Sequence, residues 1–186
     1  MTSPASHFSI DTFMSKLDNK GSLARRNKFF VEITPPSTLR TNYPAGSIEF
    51  LVKTATFPGR SFGTADFRHA GKYRLEVPYE VTEEAVSLTF LGTGDWAARK
   101  FWYNWSEHIQ SIKSYNMTYY KDFIGTITIN TYKDHEDPKN DPPSHVVKLM
   151  EAWPKAISAI ELGWENAEEV DFTVDIGYSY WETNAN

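Results

Sequence analysis

The clearest pattern in the chain is an alternation near its end. Val170, Phe172, Val174, Ile176, Tyr178 and Tyr180 are separated by Asp171, Thr173, Asp175, Gly177 and Ser179. Side chains in a strand point to opposite faces in turn, so this predicts an amphipathic strand of about eleven residues with one face in a core. The same period of two recurs at Phe29, Val31 and Ile33, at Ile48, Phe50 and Val52, and at Val86, Leu88 and Phe90. It recurs again at Tyr73, Leu75, Val77 and Tyr79, at Ile127 and Ile129 in a Thr-rich run, and at Ile160, Leu162 and Trp164. Pro78 cannot donate to a ladder, so its strand needs an edge or a bulge there.

Two segments carry a helical period instead. Ile10, Phe13, Met14 and Leu17 fall at i, i+3, i+4 and i+7, which predicts a short helix over about 9–18, with Ser9 placed to cap it. So short a helix is marginal alone and must dock on something. Ala98, Phe101, Trp102, Trp105, Ile109 and Ile112 form one apolar stripe, which predicts a helix over about 95–112 capped by Thr93 or Asp95. The stretch 133–144 has three prolines and no apolar residue and reads as a surface excursion. Together these elements predict a mainly β chain: a small antiparallel barrel or sandwich with one flanking helix and a short N-terminal helix. It is expected as a single domain over 1–186, with an extended hairpin at about 59–80 and a surface loop at about 133–145.

Composition narrows the chemistry. The chain has 186 residues, is 40% hydrophobic and 15% aromatic, and contains no cysteine. Its mean hydropathy is −0.49. Disulfides, zinc fingers, iron–sulfur ligation and a cysteine nucleophile are thereby excluded. No apolar run approaches the ~18–20 residues of a membrane helix, and no secretory signal is visible at the N-terminus. Charge is uneven: residues 1–133 carry 16 Lys and Arg against 12 Asp and Glu, whereas residues 134–186 carry 3 against 12. Solvated faces would leave that pattern, and so would a surface that matches the opposite charge on another copy.

No catalytic, cofactor or metal constellation emerges. Leu91-Gly-Thr-Gly-Asp95 lacks the Lys-Ser/Thr of a phosphate loop and the glycine register of a dinucleotide fingerprint. His7, His69, His108, His135 and His145 are scattered without an i, i+4 pair. Asn104-Trp-Ser106 and Asn116-Met-Thr118 match a glycosylation pattern by chance, the first of them inside the longer helix. The basic clusters, Arg25-Arg26-Asn27-Lys28 and the segment holding Arg60, Arg68, Lys72 and Arg74, lack the interleaved aromatics of a nucleic-acid module.

Several stretches taken in order resemble the tail tube proteins of contractile-tailed bacteriophages, the T-even type in particular. They are Leu23-Ala-Arg-Arg-Asn-Lys-Phe-Phe-Val-Glu-Ile33, Lys53-Thr-Ala-Thr-Phe-Pro58 and Asp95-Trp-Ala-Ala-Arg-Lys-Phe-Trp-Tyr-Asn-Trp105. The most specific are Trp153-Pro-Lys-Ala-Ile-Ser-Ala-Ile-Glu-Leu-Gly-Trp-Glu-Asn166 and Val170 to Glu182. The segments 34–47 and 133–145 look like insertions relative to shorter members. The resemblance implies a structural subunit with no enzymatic activity and no cofactor. It implies hexameric rings of this chain, stacked into a hollow tube that conducts the genome without specific DNA binding. The implied partners are the tail sheath, the baseplate hub or tube initiator, the tape measure and the tail terminator. The implied location is the virion tail, assembled in the host bacterial cytoplasm, with no membrane insertion of the subunit. A baseplate-proximal tube-like protein, a tailocin or secretion-type tube, and a β-barrel module for a small ligand are the alternatives.

Ring building requires unfinished surfaces. The hairpin residues Arg60, Phe62, Phe67, Arg68, Lys72 and Arg74 belong to a segment that is basic, aromatic and longer than one small core needs. They are expected to meet a neighbouring subunit, although an ordinary meander hairpin would show the same residues. The apolar face of the first helix, Ile10, Phe13, Met14 and Leu17, is the second candidate.

Overall fold

A computed structural model describes residues 9–19, 23–43, 47–67, 74–134, 136, 141–164 and 168–183. Its elements in chain order are α1 (Ile10–Asn19), β1 (Phe29–Thr34), β2 (Val52–Ala55), β3 (Arg60–Phe67), β4 (Leu75–Glu83) and β5 (Val86–Leu91). There follow α2 (Ala97–Ile109), α3 (Tyr120–Phe123), β6 (Gly125–Thr131), β7 (His145–Ile157), β8 (Asp171–Gly177) and β9 (Tyr180–Thr183). All strand pairs are antiparallel. One hydrogen-bonded path runs β1-β6-β7-β8-β5-β2, with β9 also beside β7, and β3-β4 form a separate two-stranded sheet.

The longest strand, β7, makes the architecture. Its first half pairs with β6, Asn130 opposite Val146 and Ile127 opposite Leu149, and with β9, Leu149 opposite Trp181. Its second half pairs with β8, from Trp153 opposite Gly177 to Ile157 opposite Val174. Between the halves Glu151 takes a left-handed backbone at φ 55°, and the register against β6 slips between Gly125 and Ile127. An extra residue in one strand bends it and strengthens its twist. The bend lets one strand serve a front layer (β1, β6, β9) and a back layer (β8, β5, β2). Among the described residues β1 and β2 do not pair, so the arrangement is an open, sandwich-like pair of layers, and no barrel closes.

The core lies between the layers. Val31 and Ile33 from β1, Ile127 and Ile129 from β6, Val147 and Leu149 from β7 meet Val86, Leu88 and Phe90 from β5 and Phe172, Val174 and Ile176 from β8. The flanking helix α2 adds Ala98, Phe101, Trp102, Trp105 and Ile109. The Trp102 and Trp105 rings stack with centroids 5.4 Å apart, and Trp102 also meets Phe90. Trp105 Nε1 donates to the Phe123 carbonyl at 2.8 Å, which ties α2 to α3. A buried indole N–H without such a partner would be costly. Gly125 makes this packing possible, because a Cβ there would lie 2.5 Å from the Thr34 carbonyl oxygen and 2.8 Å from the Trp105 ring.

Four sequence expectations change. Residues 48–51 are not a strand: Ile48 is buried, Glu49–Leu51 form a 3-10 turn, and only Val52 belongs to a strand, as the first residue of β2. Glu49 Oε1 accepts from the Tyr43 hydroxyl at 3.0 Å and from the Ile33 N–H at 3.2 Å, so a carboxylate, not a neighbouring strand, satisfies that edge of β1. Burial first, and then this contact with an anion, raise the Tyr43 phenol above its ordinary pKa. Residues 160–164 are also not a strand, because β7 ends at Ile157 and Ser158 closes it against Thr173. The single strand predicted over 170–180 is two strands, interrupted where the Ser179 N–H turns to the Met150 carbonyl. Finally, α2 ends at Ile109, and Ile112 lies exposed beyond it.

The two predicted helix starts have different chemistry. Ser9 Oγ accepts the Thr12 N–H at 3.1 Å, an N-cap bond. At α2 the cap position is Trp96 at φ 58°, and Asp95 Oδ1 accepts the Ala97 N–H at 3.2 Å from one residue further out. Hydrogen bonds from the Thr93 hydroxyl and the Ala97 amide hold the Asp95 carboxyl below its usual pKa.

Candidate assembly surface

The β3-β4 hairpin is where sequence and burial disagree. Its register runs from Arg60 opposite Glu83 to Phe67 opposite Leu75. The register shifts between Gly63 and Thr64, which leaves Tyr79 as an extra residue beside Pro78. That is the bulge Pro78 requires, since it brings no N–H to the ladder. The Tyr79 ring lies over Gly63, 3.3 Å from where a Cβ would sit. Gly63 is therefore the platform for the ring.

The bulge redistributes the apolar residues. Without it Leu75, Val77, Tyr79 and Val81 would line one face. With it, Phe62 and Val81 share one face near the base, while Tyr79, Ala65, Val77, Phe67 and Leu75 follow one another along the other. Neither face is covered: Val77 is 42% exposed, Val81 52%, Phe62 57%, Phe67 59%, Leu75 61% and Tyr79 69%. Contiguous exposed apolar surface on a monomer marks an interaction site.

The base is firmly held. Arg60 pairs with Glu83 at 2.7 Å and lies over the Trp181 ring at 5.2 Å. The Glu84 N–H donates to the Gly59 carbonyl at 3.0 Å, and the Tyr178 hydroxyl donates to the Glu84 carbonyl at 2.7 Å. Burial, and then the neighbouring carboxylates Glu83 and Glu84, raise the Tyr178 phenol above its ordinary pKa, with Arg60 opposing them. Further out, Arg74 is ion-paired with Asp66.

Of the sequence candidates, Arg60 is thus an anchor at the base, and Phe62, Phe67 and Arg74 lie outward along the hairpin. Arg68 and Lys72 fall outside the described residues. On α1, Ile10, Phe13 and Met14 are exposed and Leu17 is half-buried. Leu75, Val77, Tyr79 and Val81 were not singled out as interface residues. Their alternation was visible, but alternation alone does not say whether the facing layer belongs to the same chain.

Other features offer little chemistry. A groove of about 820 Å³ lies between the 23–26 segment, β1 and β2, and includes Phe29, Lys53, Phe57, Tyr132 and His145. Three of its four lysines and arginines are engaged: Arg25 with Asp134 at 2.9 Å, Lys133 with Glu136 at 3.2 Å, and Lys53 with Asp171, which raises the Lys53 pKa. Among the described residues no group of three metal-ligating side chains occurs. No described helix is long and apolar enough to cross a membrane.

Comparison with known proteins gives this geometry its context. The fold matches a chain of the PVC sheath/tube terminator, from an extracellular contractile injection system in the extended state, at 11% identity and TM-score 0.62, covering 88% of this chain and 97% of that one. A chain of the PVC sheath-tube complex in the extended state matches at 11% identity and TM-score 0.61, covering 96% and 99%. A chain of the tube-terminating cap of the anti-feeding prophage matches at 11% identity and TM-score 0.62 over the whole of both chains. No curated protein matches the sequence. The phage tail tube protein family matches residues 24–184. With that match spanning most of the chain, on a mainly β scaffold with strand surfaces left uncovered, the chain belongs to the phage tail tube protein family.

Proposed function

We propose that six copies close into a ring, that rings stack into a hollow tube within a contractile sheath, and that the hairpin is an intersubunit element. The observation that carries this is the β3-β4 hairpin, a rigidly anchored sheet with apolar residues on both faces and no core of its own to fill. Such an exposed sheet is a hazard in a monomer and a binding surface in an assembly. Of the outermost strands, β2 supplies a further edge for a neighbour to complete, the Ile33 N–H of β1 being taken by Glu49. The association is heterologous: rotation closes a ring, and translation along the axis makes a tube.

The bore conducts DNA without holding it. Each copy carries a net charge of −5, so negative charge accumulates along a stack. A basic lining would release counterions from DNA and retain it, whereas a neutral-to-acidic lining leaves the polymer free to pass. The subunit's role is geometric and no reaction is assigned to it. It works alongside a sheath, a baseplate hub, a tape measure and a terminator, and assembles in the bacterial cytoplasm.

Negative-stain microscopy of the purified full-length chain tests the reading. Rings or hollow filaments are expected as concentration rises. A chain that stays monomeric at every concentration and salt, and is absent from purified particles, overturns it. Reversing Arg68 and Arg74 together to Glu should impair assembly and leave the circular dichroism of the monomer unchanged.

A further inference from the structure

The two layers turn different chemistry outward. In the back layer, β5 and β8 point Val86, Leu88 and Phe90 into the core, so Ser87 and Thr89 face out beside their partners Asp175 and Thr173. These side chains pair with one another. Ser87 Oγ donates to Asp175 Oδ1 at 2.7 Å, and the Thr89 and Thr173 hydroxyls share a hydrogen bond at 3.2 Å. At the end of the ladder Asp171 holds Lys53, and Glu169 adds its charge nearby. Leu91 at that end and Trp153, over Gly177 at the other, are half-buried. Among the described residues, no exposed large apolar side chain belongs to this ladder.

The front layer differs. Phe30, Lys148 and Tyr180 point away from its core side. Phe50 packs on Phe30 with ring centroids 5.5 Å apart and is 69% exposed, and Tyr180 is 44% exposed. Uncovered aromatic side chains are what a protein neighbour covers, whereas Ser and Asp are depleted from such contacts. A face of short, mutually hydrogen-bonded polar groups gains little from a protein partner and is suited to water.

The back layer is also the one that runs on into the hairpin. The pairing of β2 with β5 continues through the Thr56 N–H, which donates to the Ser87 carbonyl, and the Glu84 N–H, which donates to the Gly59 carbonyl, into the β3-β4 register. One two-stranded ribbon therefore belongs to the back layer at one end and to the exposed hairpin at the other. A hairpin that meets a neighbour carries this layer across the subunit boundary, and such continuity matters most in the wall that encloses a bore.

We infer that the outward face of β5 and β8, with Ser87, Thr89, Asp171, Thr173 and Asp175, lines the bore. The inference rests on the proposed tube and names the surface that the genome passes. A DNA duplex in transit meets hydroxyls already bonded to neighbours on the same face and carboxylates that repel phosphate. Lys53 is compensated by Asp171, and Lys155, exposed at the register shift between β7 and β8, stands at the margin. With no cluster of free cations on the ladder, contact releases few counterions and the polymer is not retained.

Because the chain has no cysteine, one introduced thiol reports on this face. Full-length Thr173→Cys is assembled, and the tubes are treated with a small maleimide or with a maleimide carried on a bulky polymer. The small reagent enters an open bore and is expected to label the tubes. The bulky one is expected to label dissociated subunits and to spare the tubes. Ser87→Cys repeats the measurement, with circular dichroism as the folding control for both. Labelling of tubes by both reagents puts the face on the outside and overturns the inference while leaving the tube intact. Labelling by neither, or loss of assembly in both variants with an unchanged spectrum, puts the face between subunits and overturns it too. Failure of the unmodified chain to form tubes overturns the tube reading itself, and the inference with it. In a second arm, Thr89→Lys/Thr173→Lys tubes are expected to retain about tenfold more of a short DNA duplex than wild type at low salt and to release it as salt rises. Equal retention by the two overturns the inference.

Discussion

β8 and β4 are both alternating strands, and they end in opposite environments. In β8, Phe172, Val174 and Ile176 are buried completely or nearly so, in the core cluster they share with β1, β5, β6 and α2. In β4, Leu75, Val77, Tyr79 and Val81 are exposed. Local preference cannot separate them, since both draw on β-branched and aromatic residues, which favour a pleated surface. The difference lies in supply. The inner face of β8 is met by other elements of the same chain, whereas β4, among the described residues, has β3 as its one strand partner. An apolar face stabilises a fold only where something covers it, and among the described residues nothing covers the apolar side chains of β4.

Trp105→Ala should separate the two regions most sharply. It removes a ring stacked on Trp102 and leaves the Phe123 carbonyl without its donor. A loss of about 3–5 kcal/mol is expected for a large buried aromatic, measured by urea unfolding under conditions where the chain is monomeric. Equal stability to wild type would mean that the α2 face is not core.

A matched pair of isosteric changes is the next test. Val174→Thr places a hydroxyl in the buried face of β8 and should cost about 1–3 kcal/mol. Val77→Thr places the same hydroxyl on the hairpin, where a change within about 0.5 kcal/mol is expected in the monomer. Similar losses at both sites would break the comparison. Gly125→Ala sharpens it from the core side: the added methyl overlaps the Thr34 carbonyl and the Trp105 ring. Overpacking of that kind costs about 1–3 kcal/mol, visible as a lower thermal midpoint.

The smallest effect concerns pH at the start of α2. The Asp95 carboxyl has a lowered pKa in the folded state. Its contribution is therefore full above the unfolded carboxylate range and is lost as pH falls through the lowered value. Asp95→Asn should lower the thermal midpoint slightly at neutral pH, and the gap to wild type should close on acidification. A gap that is constant with pH would remove Asp95 from the cap.

Much of this contrast was legible in the sequence and part of it was not. Strands such as β1, β5 and β8 were visible because their buried residues keep one parity. β7 was invisible for the opposite reason: Val147 and Leu149 are buried before its bend, Ala152 and Pro154 after it, and the extra residue at Glu151 shifts the parity between them. Residues 48–52 misled because Ile48 and Val52 have strand-like spacing while the intervening turn is held by the side chain of Glu49. Ile160, Leu162 and Trp164 misled in the same way, since their alternation has no strand beside it. For the assembly surface, Pro78 announced a bulge, but its effect of moving Tyr79 over Gly63 required the register of both strands.

The bend at Glu151 has a mechanical meaning. Because β7 belongs to both layers, a pull on either is carried to the other through covalent main chain, not across side chains that can slide. A tension along the strand must first straighten a left-handed residue flanked by two ladders. A subunit wired in this way resists shear between its halves.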